Sequence, residues 1–254
     1  MPTYPDFLHI LTFDVLPSTN DYLKENYPTL KNSFPVMVNA RLQTRGRGRG
    51  ERSWFSSKDL GVYATFGVNV SDPRSLPFLS VAAGLAVAEA LNKFSGLDFV
   101  LKWPNDVLIK GKKIAGILVE NIVVGKKAAS LIGIGVNVNQ RSDDFPREFA
   151  ERVISLRIAT GRICPVDEIR TRLARRLFWW LDRLEKGESS SVIDRANRLS
   201  RWLLGRSISF HDGKRKVTGI YAGIAPSGGA IIEQEAGGRN VFFSGEIVDF
   251  RGSE

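Results

Sequence analysis

The fold is decided by residues 99–124, which read FVLKWPNDVLIKGKKIAGILVENIVV. Three apolar runs rich in β-branched side chains are separated by short segments that contain Pro104 and Gly111: Phe99–Leu101, Asp106–Ile109 and Ile114–Val124. Runs of this kind, bounded by proline and glycine, are typical of strands. The connections are too short to hold a helix, so the three strands are predicted to follow one another directly in a sheet.

Apolar periodicity on both sides of this segment predicts further strands and a few helices. Strands are predicted at His9–Leu16, Val36–Leu42, Gly61–Val70 and Leu131–Val138. One helix is predicted to begin at the capping residues Ser18-Thr19-Asn20-Asp21, and others to cover Leu76–Phe94, Pro165–Glu185 and Val192–Leu203. Because the strands lack regular βαβ alternation, the predicted class is α+β, a mixed sheet with flanking helices.

The pattern changes after Leu204, where five short alternating runs separated by turns occupy about 50 residues. Short strands at this spacing are typical of a small β-barrel. The sequence therefore predicts two domains, residues 1–204 and residues 205–254.

Composition limits the class of protein. The chain has 254 residues and a net charge of +9, which favours anionic partners without choosing among nucleotides, nucleic acids and acidic proteins. A single cysteine, Cys164, cannot form an internal disulfide, so a reducing, cytoplasmic location is predicted. Residues 1–7 show no signal peptide, and the longest apolar stretch, Phe78–Leu91, is too short to cross a bilayer.

A glycine- and arginine-rich loop, residues 43–50, lies between two predicted strands and reads QTRGRGRG. Glycine lets a backbone approach a ligand closely, and arginine offers a fixed, forked cation that suits carboxylate and phosphate. An RNA-binding arginine–glycine tract would have a similar composition, but such tracts are usually longer and lie in low-complexity sequence. The short loop between strands favours a folded anion site.

Two further clusters combine polar groups with strands. Lys102-Trp103-Pro104-Asn105-Asp106 and the following Lys113 offer a carboxylate, an amide and cations, although the lysines alone are also consistent with an ordinary basic turn. Gly133-Ile134-Gly135 leads into Asn137 and Asn139. That segment is consistent with a flat ligand wall with amide groups, or with a plain glycine-containing strand.

At these residues the sequence resembles biotin protein ligases. The motifs that carry the resemblance occur in the family's order and spacing: Ser18-Thr19-Asn20, Gln43 with Gly46-Arg47-Gly48-Arg49, Lys102–Asp106, Lys113–Glu120 and Gly135-Val136-Asn137. The resemblance runs from about residue 10 to the C-terminus. It implies a catalytic domain like that of class II synthetases, followed by an SH3-like barrel. Since the chain starts at the catalytic domain, the monofunctional type without an N-terminal DNA-binding domain is expected.

The resemblance implies that ATP, with Mg²⁺, activates biotin to biotinyl-5′-AMP, and that the biotinyl group passes to a lysine of a biotin carboxyl carrier protein or domain. It also implies roles for the motif residues. Biotin contacts are expected at Ser18, Thr19, Asn20, Gln43, Gly46, Arg47 and Gly116. Nucleotide contacts are expected at Arg49, Trp54, Asn105, Lys113 and Asn137. The catalytic residues are expected to be Lys113, Arg49 and Asp106, with Asp106 also binding the metal.

Other functions remain open at this point. A lipoate ligase of the same superfamily would share the acyl-adenylate chemistry, and a basic nucleic-acid-binding module would use the positive charge and the small barrel. No specific DNA binding and no membrane association are expected, and a homodimer is left open. The loop departs from the family pattern at Gly50-Glu51, and Arg45 stands where a small residue is common.

Overall fold

The computed structural model describes residues 3–50, 52–124, 127–211, 216–234 and 238–251. Its larger sheet has seven strands in the order β1-β2-β3-β7-β6-β5-β4. Strands β1 and β2 are parallel, joined by a helical crossover, and the other neighbours are antiparallel. The strands are β1 (His9–Leu16), β2 (Val36–Gln43), β3 (Gly61–Val70), β4 (Val100–Lys102), β5 (Asp106–Ile109), β6 (Lys112–Val124) and β7 (Lys127–Asn137).

A second, antiparallel sheet is built from the C-terminal part of the chain. It has the order β11-β10-β9-β8-β12. Its strands are β8 (Ser207–His211), β9 (Lys216–Ile224), β10 (Ala230–Gln234), β11 (Gly238–Phe242) and β12 (Glu246–Arg251). The five predicted strands are thus confirmed. Over the described residues the edge strands β11 and β12 do not pair with each other, so closure into a barrel stays a prediction.

Helices cover the larger sheet. They are α1 (Thr19–Glu25), α2 (Tyr27–Leu30), α3 (Leu79–Ser95), α4 (Leu156–Thr160), α5 (Val166–Glu185) and α6 (Ser189–Leu199), with short 3₁₀ turns at Lys31–Ser33, Pro73–Phe78, Ser142–Asp144 and Arg201–Leu203. The segment Pro73–Ser95 is long and apolar enough to cross a membrane by length and composition. Its most apolar window is 72% buried inside the protein, as expected of a core helix.

Local sequence explains where the elements begin and end. Ser18 caps α1, since its side chain accepts a hydrogen bond from the Asp21 amide at 3.3 Å. Gly96 ends α3 in the left-handed conformation with φ of 74°. Lys110 and Gly111 both have positive φ, 51° and 73°, which is the backbone of a two-residue hairpin turn between β5 and β6.

Most predicted elements are confirmed, and the differences have local causes. The helix predicted from Leu76 begins as a 3₁₀ turn, because Pro77 lacks the amide hydrogen that an α-helix needs. The helix predicted to reach Leu203 ends at Leu199, followed by a 3₁₀ turn. The short helices α2 and α4 were not predicted, since four or five residues are too few to show a helical period.

The larger cluster of buried apolar side chains includes residues of both sheets. Its members include side chains of the helix α3, side chains of β6 in the first sheet, and Phe210, Tyr221 and Ile232 in the second. Trp103 lies between the two, 3% exposed, and its indole N–H donates to the carbonyl of Gly228 at 3.1 Å. The division into domains 1–204 and 205–254 therefore stays a prediction, although the second sheet begins at Ser207.

Candidate functional site

A cavity of about 200 Å³ lies between the open face of β6 and β7 and the glycine- and arginine-rich loop. Every predicted site residue lines it except Gly46. A side chain at Gly46 would place its Cβ 2.6 Å from the carbonyl oxygen of Trp54, so this glycine permits the loop to close against the following segment. The cavity has a neutral polar end and a cationic end.

The polar end is a hydrogen-bonded network of buried side chains. The amide and the hydroxyl of Thr19 both approach Gln43 Oε1, at 2.8 and 3.0 Å. Because Oε1 is the acceptor, the Nε2 group of Gln43 is left to donate elsewhere. Thr65, fully buried on β3, lies behind this pair, 2.8 Å from the Thr19 hydroxyl and 2.5 Å from Asn20 Oδ1. These contacts fix the orientation of both amide side chains.

Arg47 is held by two carboxylates at the same end. Its Nη2 atom lies 2.5 Å from Glu120 Oε2 and 2.7 Å from Asp21 Oδ1. Burial alone would raise the pKa of Glu120, but hydrogen bonds from Asn20, Arg47 and Lys24 outweigh it and lower the pKa below its ordinary value. The charge of Arg47 is therefore balanced within the protein, and its buried Nε has no protein partner.

Glycines of β6 and β7 lie along the cavity, which agrees with one of the two arrangements that the sequence left open. A Cβ at Gly135 would lie 2.4 Å from Trp54 Cε2, and one at Gly116 would lie 2.9 Å from Trp54 Cζ3. At Gly133 an added Cβ would lie 2.1 Å from Asn20 Oδ1. Because no side chain intervenes, the indole of Trp54 lies directly on the backbone of both strands.

The cationic end is built around Asp106, which is 6% exposed. Lys113 Nζ lies 2.6 Å from Asp106 Oδ1, and Lys102 Nζ lies 3.4 Å from Oδ2. Burial would raise the pKa of this carboxyl, but the two ammonium groups outweigh it, so the pKa of Asp106 is lowered. Lys113 also lies 5.5 Å from the centroid of the Trp54 ring. The carboxylate is thus ionised and fixes the lysine beside the indole.

The metal-binding role of Asp106 stays a prediction. Each oxygen of its carboxylate faces one ammonium group, which leaves a lone pair on each oxygen that Mg²⁺ can use. Within the described ranges of the chain, no group of three or more histidine, cysteine, aspartate or glutamate side chains is placed to hold a metal ion.

Asn105 and Asn137, which are predicted to contact the nucleotide, each donate a hydrogen bond to a backbone carbonyl. Asn105 Nδ2 donates to Ile117 O at 3.0 Å, which ties the Lys-Trp-Pro-Asn-Asp turn to β6. Asn137 Nδ2 donates to Ile154 O at 3.3 Å. Asn139 lies beyond the end of β7 and makes two hydrogen bonds with the backbone of Cys164, so it is a structural residue rather than part of the wall.

The loop itself folds back as a narrow hairpin that reaches the C-terminal sheet. Gly48 N donates to Arg52 O at 2.7 Å. Arg49 Nη1 donates to Gly245 O at 2.7 Å, and Arg52 Nη1 donates to Glu246 Oε1 at 2.6 Å. Burial lowers the pKa of the Arg49 guanidinium. The loop departs from the family pattern at Gly50-Glu51. Gly50 has φ of 65°, and Glu51 lies outside the described residues.

Several residues that line or support the cavity were not predicted. Asp21, Thr65 and Glu120 support the polar end, although Glu120 closes a predicted motif. An apolar wall comes from the segment after β7, and Glu246 comes from the C-terminal sheet. That wall consists of Phe145, Phe149 and Val153. Phenylalanines and valines in a loop carry no signal for a site in one sequence, so only the structure locates them.

Comparison with known proteins agrees with this geometry. A family model described as the Biotin/lipoate A/B protein ligase family matches residues 12–137. The chain is 32% identical over 245 residues to the biotin–[acetyl-CoA-carboxylase] ligase of Paracoccus denitrificans, a match that covers 90% of this chain and 98% of that protein. The bifunctional ligase/repressor BirA of Bacillus subtilis is 38% identical over 157 residues, 60% of this chain and 47% of BirA, so the matched region spans about half of that relative.

Among solved structures, the biotin protein ligase of Aquifex aeolicus in complex with biotin and ATP is similar throughout. The two chains superpose with a TM-score of 0.83 at 31% sequence identity, and the alignment covers 96% of this chain and 99% of the other. The similarity therefore includes the C-terminal sheet as well as the larger one.

Proposed function

Because the chain belongs to the biotin/lipoate A/B protein ligase family, we propose that it activates biotin with ATP and transfers the biotinyl group to a lysine of a biotin carboxyl carrier domain. The observation that carries the proposal is a single cavity with two chemically different ends. Hydroxyl and amide groups of Thr19 and Gln43 lie at one end, and Lys113 and Arg49 lie at the other. Biotin matches that division, because it joins a neutral ring with polar edges to an anionic tail.

The first step joins two anions. A biotin carboxylate oxygen attacks the α-phosphorus of ATP, the bond from that phosphorus to the bridging oxygen breaks, and pyrophosphate leaves. Cations fixed at the junction offset the charge that accumulates. Lys113, held by Asp106, and Arg49 are the residues to which we assign this task. When bound, Mg²⁺ would supply further charge neutralisation at the ATP phosphates, with Asp106 as its proposed protein ligand.

In the second step the neutral amine of an acceptor lysine attacks the carbonyl carbon of biotinyl-5′-AMP. The carbon–oxygen bond breaks, AMP leaves, and the amine loses a proton. The lowered pKa of Asp106 makes its carboxylate a weak proton acceptor. We therefore give Asp106 the role of positioning Lys113 and leave the proton to solvent.

The polar end supports biotin over lipoate. Gln43 Nε2 and the Thr19–Gln43 pair present hydrogen-bonding groups to a ligand ring. A ureido ring can pair with them, whereas a dithiolane ring would leave them unpaired, at a cost of about 1–3 kcal/mol for each buried group. The relatives that match along most of their length are also biotin ligases.

The acceptor and the location are parts of the proposal that rest on relatives and composition. Relatives named biotin–[acetyl-CoA-carboxylase] ligases support a carboxyl carrier acceptor. The single buried cysteine supports a reducing, cytoplasmic location.

The proposal is tested by ATP–pyrophosphate exchange with biotin, lipoate and octanoate in parallel. Biotin should drive exchange, and the other two acids should give a rate near background. A carrier domain and its lysine-to-arginine variant then test the transfer step. Equal or faster exchange with lipoate would replace the biotin assignment with the related lipoate chemistry.

A further inference from the structure

The turn that joins β11 to β12 lies against the glycine- and arginine-rich loop at one edge of the cavity. Gly245, the last residue of this turn, contacts Arg49 of the loop, and Glu246, the first residue of β12, contacts Arg52 just after the loop. Gly245 has φ of 130°, and a Cβ there would lie 2.2 Å from Phe210 Cζ and 2.6 Å from His211 O. Only glycine lets the turn pack this closely, so the position of its carbonyl is set by the packed interior of the C-terminal sheet.

The side chain of Arg49 is bound by this turn, and its backbone is bound by Arg52. Its guanidinium donates directly to Gly245 O at 2.7 Å. Its main-chain carbonyl accepts from Arg52 Nε at 3.3 Å, and the same guanidinium of Arg52 is bound to Glu246 at 2.6 Å. Glu246 therefore acts on Arg49 through Arg52. The backbone and the side chain of Arg49 are fixed by two neighbouring residues of another sheet.

A contribution to stability does not account for the Arg52–Glu246 ion pair. The Arg52 side chain is 58% exposed and that of Glu246 is 25% exposed. Ion pairs this accessible to water usually contribute only about 0–1 kcal/mol to folding. Another explanation is needed for why a carboxylate lines a cavity whose proposed ligands are anions.

The carboxylate of Glu246 has the same sign of charge as the proposed ligands. Glu246 lines the cavity together with Lys113, Arg49 and Arg52. A negative group near a nucleotide's phosphates weakens binding of the nucleotide, because like charges repel. If Glu246 only lined the cavity, its removal would be harmless or beneficial. A benefit from the carboxylate must come from what it holds in place.

We propose that Glu246 is a positioning residue for adenylation, which holds Arg52 and thereby fixes Arg49 beside the reacting phosphate. The inference rests on the proposed function. It gives the C-terminal sheet a part in the first chemical step, separate from any part in acceptor docking. The carboxylate of Glu246 weakens binding of the nucleotide in the ground state. It also keeps a cation in place for the charge that accumulates on the phosphate in the transition state.

The test is steady-state ATP–pyrophosphate exchange with biotin on Glu246→Gln. We expect kcat to fall by about tenfold, the value of one charge-assisted contact, while the KM for ATP stays the same or decreases. The melting temperature should move by no more than about 2–4 °C, as befits an exposed pair. Glu233→Gln is the matched control. Glu233 belongs to the same sheet and its carboxylate lies 3.8 Å from Arg239, but it does not line the cavity.

Arg52→Gln breaks the same pair from the loop side and keeps the test informative if Glu246→Gln folds poorly. If the pair acts as a unit, the double variant should be no slower than the slower single variant. An unchanged or increased kcat in Glu246→Gln overturns the proposal. So does a joint loss of kcat, ATP affinity and melting temperature, or a double variant whose loss is the product of the single losses. Wild-type protein without biotin-dependent exchange would instead refute the proposed function.

Discussion

Lys113→Ala tests the cationic end of the cavity most directly. The substitution removes the ammonium group 2.6 Å from Asp106 Oδ1 and leaves Lys102, at 3.4 Å, as the remaining cation on a carboxylate that is 6% exposed. Two effects follow, one on adenylation and one on stability, and they can be measured separately.

The effect on adenylation follows from the value of one charged contact. A charge-assisted hydrogen bond contributes about 1.5–3 kcal/mol, which corresponds to roughly a ten- to hundredfold change in rate. We expect biotin-dependent pyrophosphate exchange to fall by that factor. Biotin affinity, measured by calorimetry, should change much less, because the polar end around Thr19 and Gln43 is untouched.

The effect on stability comes from the buried carboxylate. Loss of a partner from a fully buried pair costs about 3–5 kcal/mol. Here Lys102 remains and the Lys113 side chain is 31% exposed, so about 1–2 kcal/mol is expected, or a drop of several degrees in melting temperature. Lys112→Ala, an exposed neighbour on the same strand, is the control.

The contribution of Asp106 to the stability of the folded protein decreases on acidification. The pKa of Asp106 in the folded protein is lowered from its ordinary value of 3.8. Its ionised form therefore adds stability above that value, and this stability is lost as the pH falls through the folded pKa. In Lys113→Ala the pKa of Asp106 should rise, so the stability gap to wild type should be widest near neutral pH and should narrow on acidification. Adenylation within twofold of wild type, together with an unchanged melting temperature, would show that Lys113 is an ordinary surface lysine.

Three further predictions concern the loop, the glycine wall and the basic charge. Arg49→Gly should slow adenylation and also release early the adenylate that still forms, so that bystander albumin is labelled with biotin; complete inactivity without such labelling would assign Arg49 to adenylation alone. Gly135→Ala should displace Trp54 and raise the KM for ATP, whereas Gly133→Ala should displace Asn20 and raise the KM for biotin; the same phenotype in both would argue against two distinct ends. DNA binding, measured by filter retention, should be weak, sequence-independent and steeply salt-dependent, and a footprint on one operator at physiological salt would contradict this.

The sequence allowed the strands to be predicted well because alternation and turn residues are local signals. Lys110 and Gly111, for example, mark the hairpin between β5 and β6, and the structure shows the positive φ values that such a turn requires. All the predicted site residues except Gly46 line the cavity, because the motifs that carry the family resemblance place them. Their individual roles remain predictions.

Contacts between distant parts of the chain could not be predicted. Arg52 and Glu246 are 194 residues apart, and Arg47 and Glu120 are 73 apart. In one sequence Glu246 does not differ from an ordinary surface residue, and Glu120 closes a motif but gives no sign of its partner. For a related reason the sequence could not decide the role of Asn139: it follows Asn137 by two residues, but its amide makes hydrogen bonds with the backbone of Cys164, which lies on a later segment.

The apolar core that runs through both sheets bears on how the chain unfolds. Trp103 is buried between the sheets, and its indole N–H depends on a carbonyl supplied by Gly228. A fragment ending at Leu204 would expose that indole to water, remove its acceptor and strip Phe210 from beside its ring. The two sheets are therefore expected to melt in one cooperative transition, and the last fifty residues to resist exchange between homologues unless their partners around Trp103 are exchanged with them.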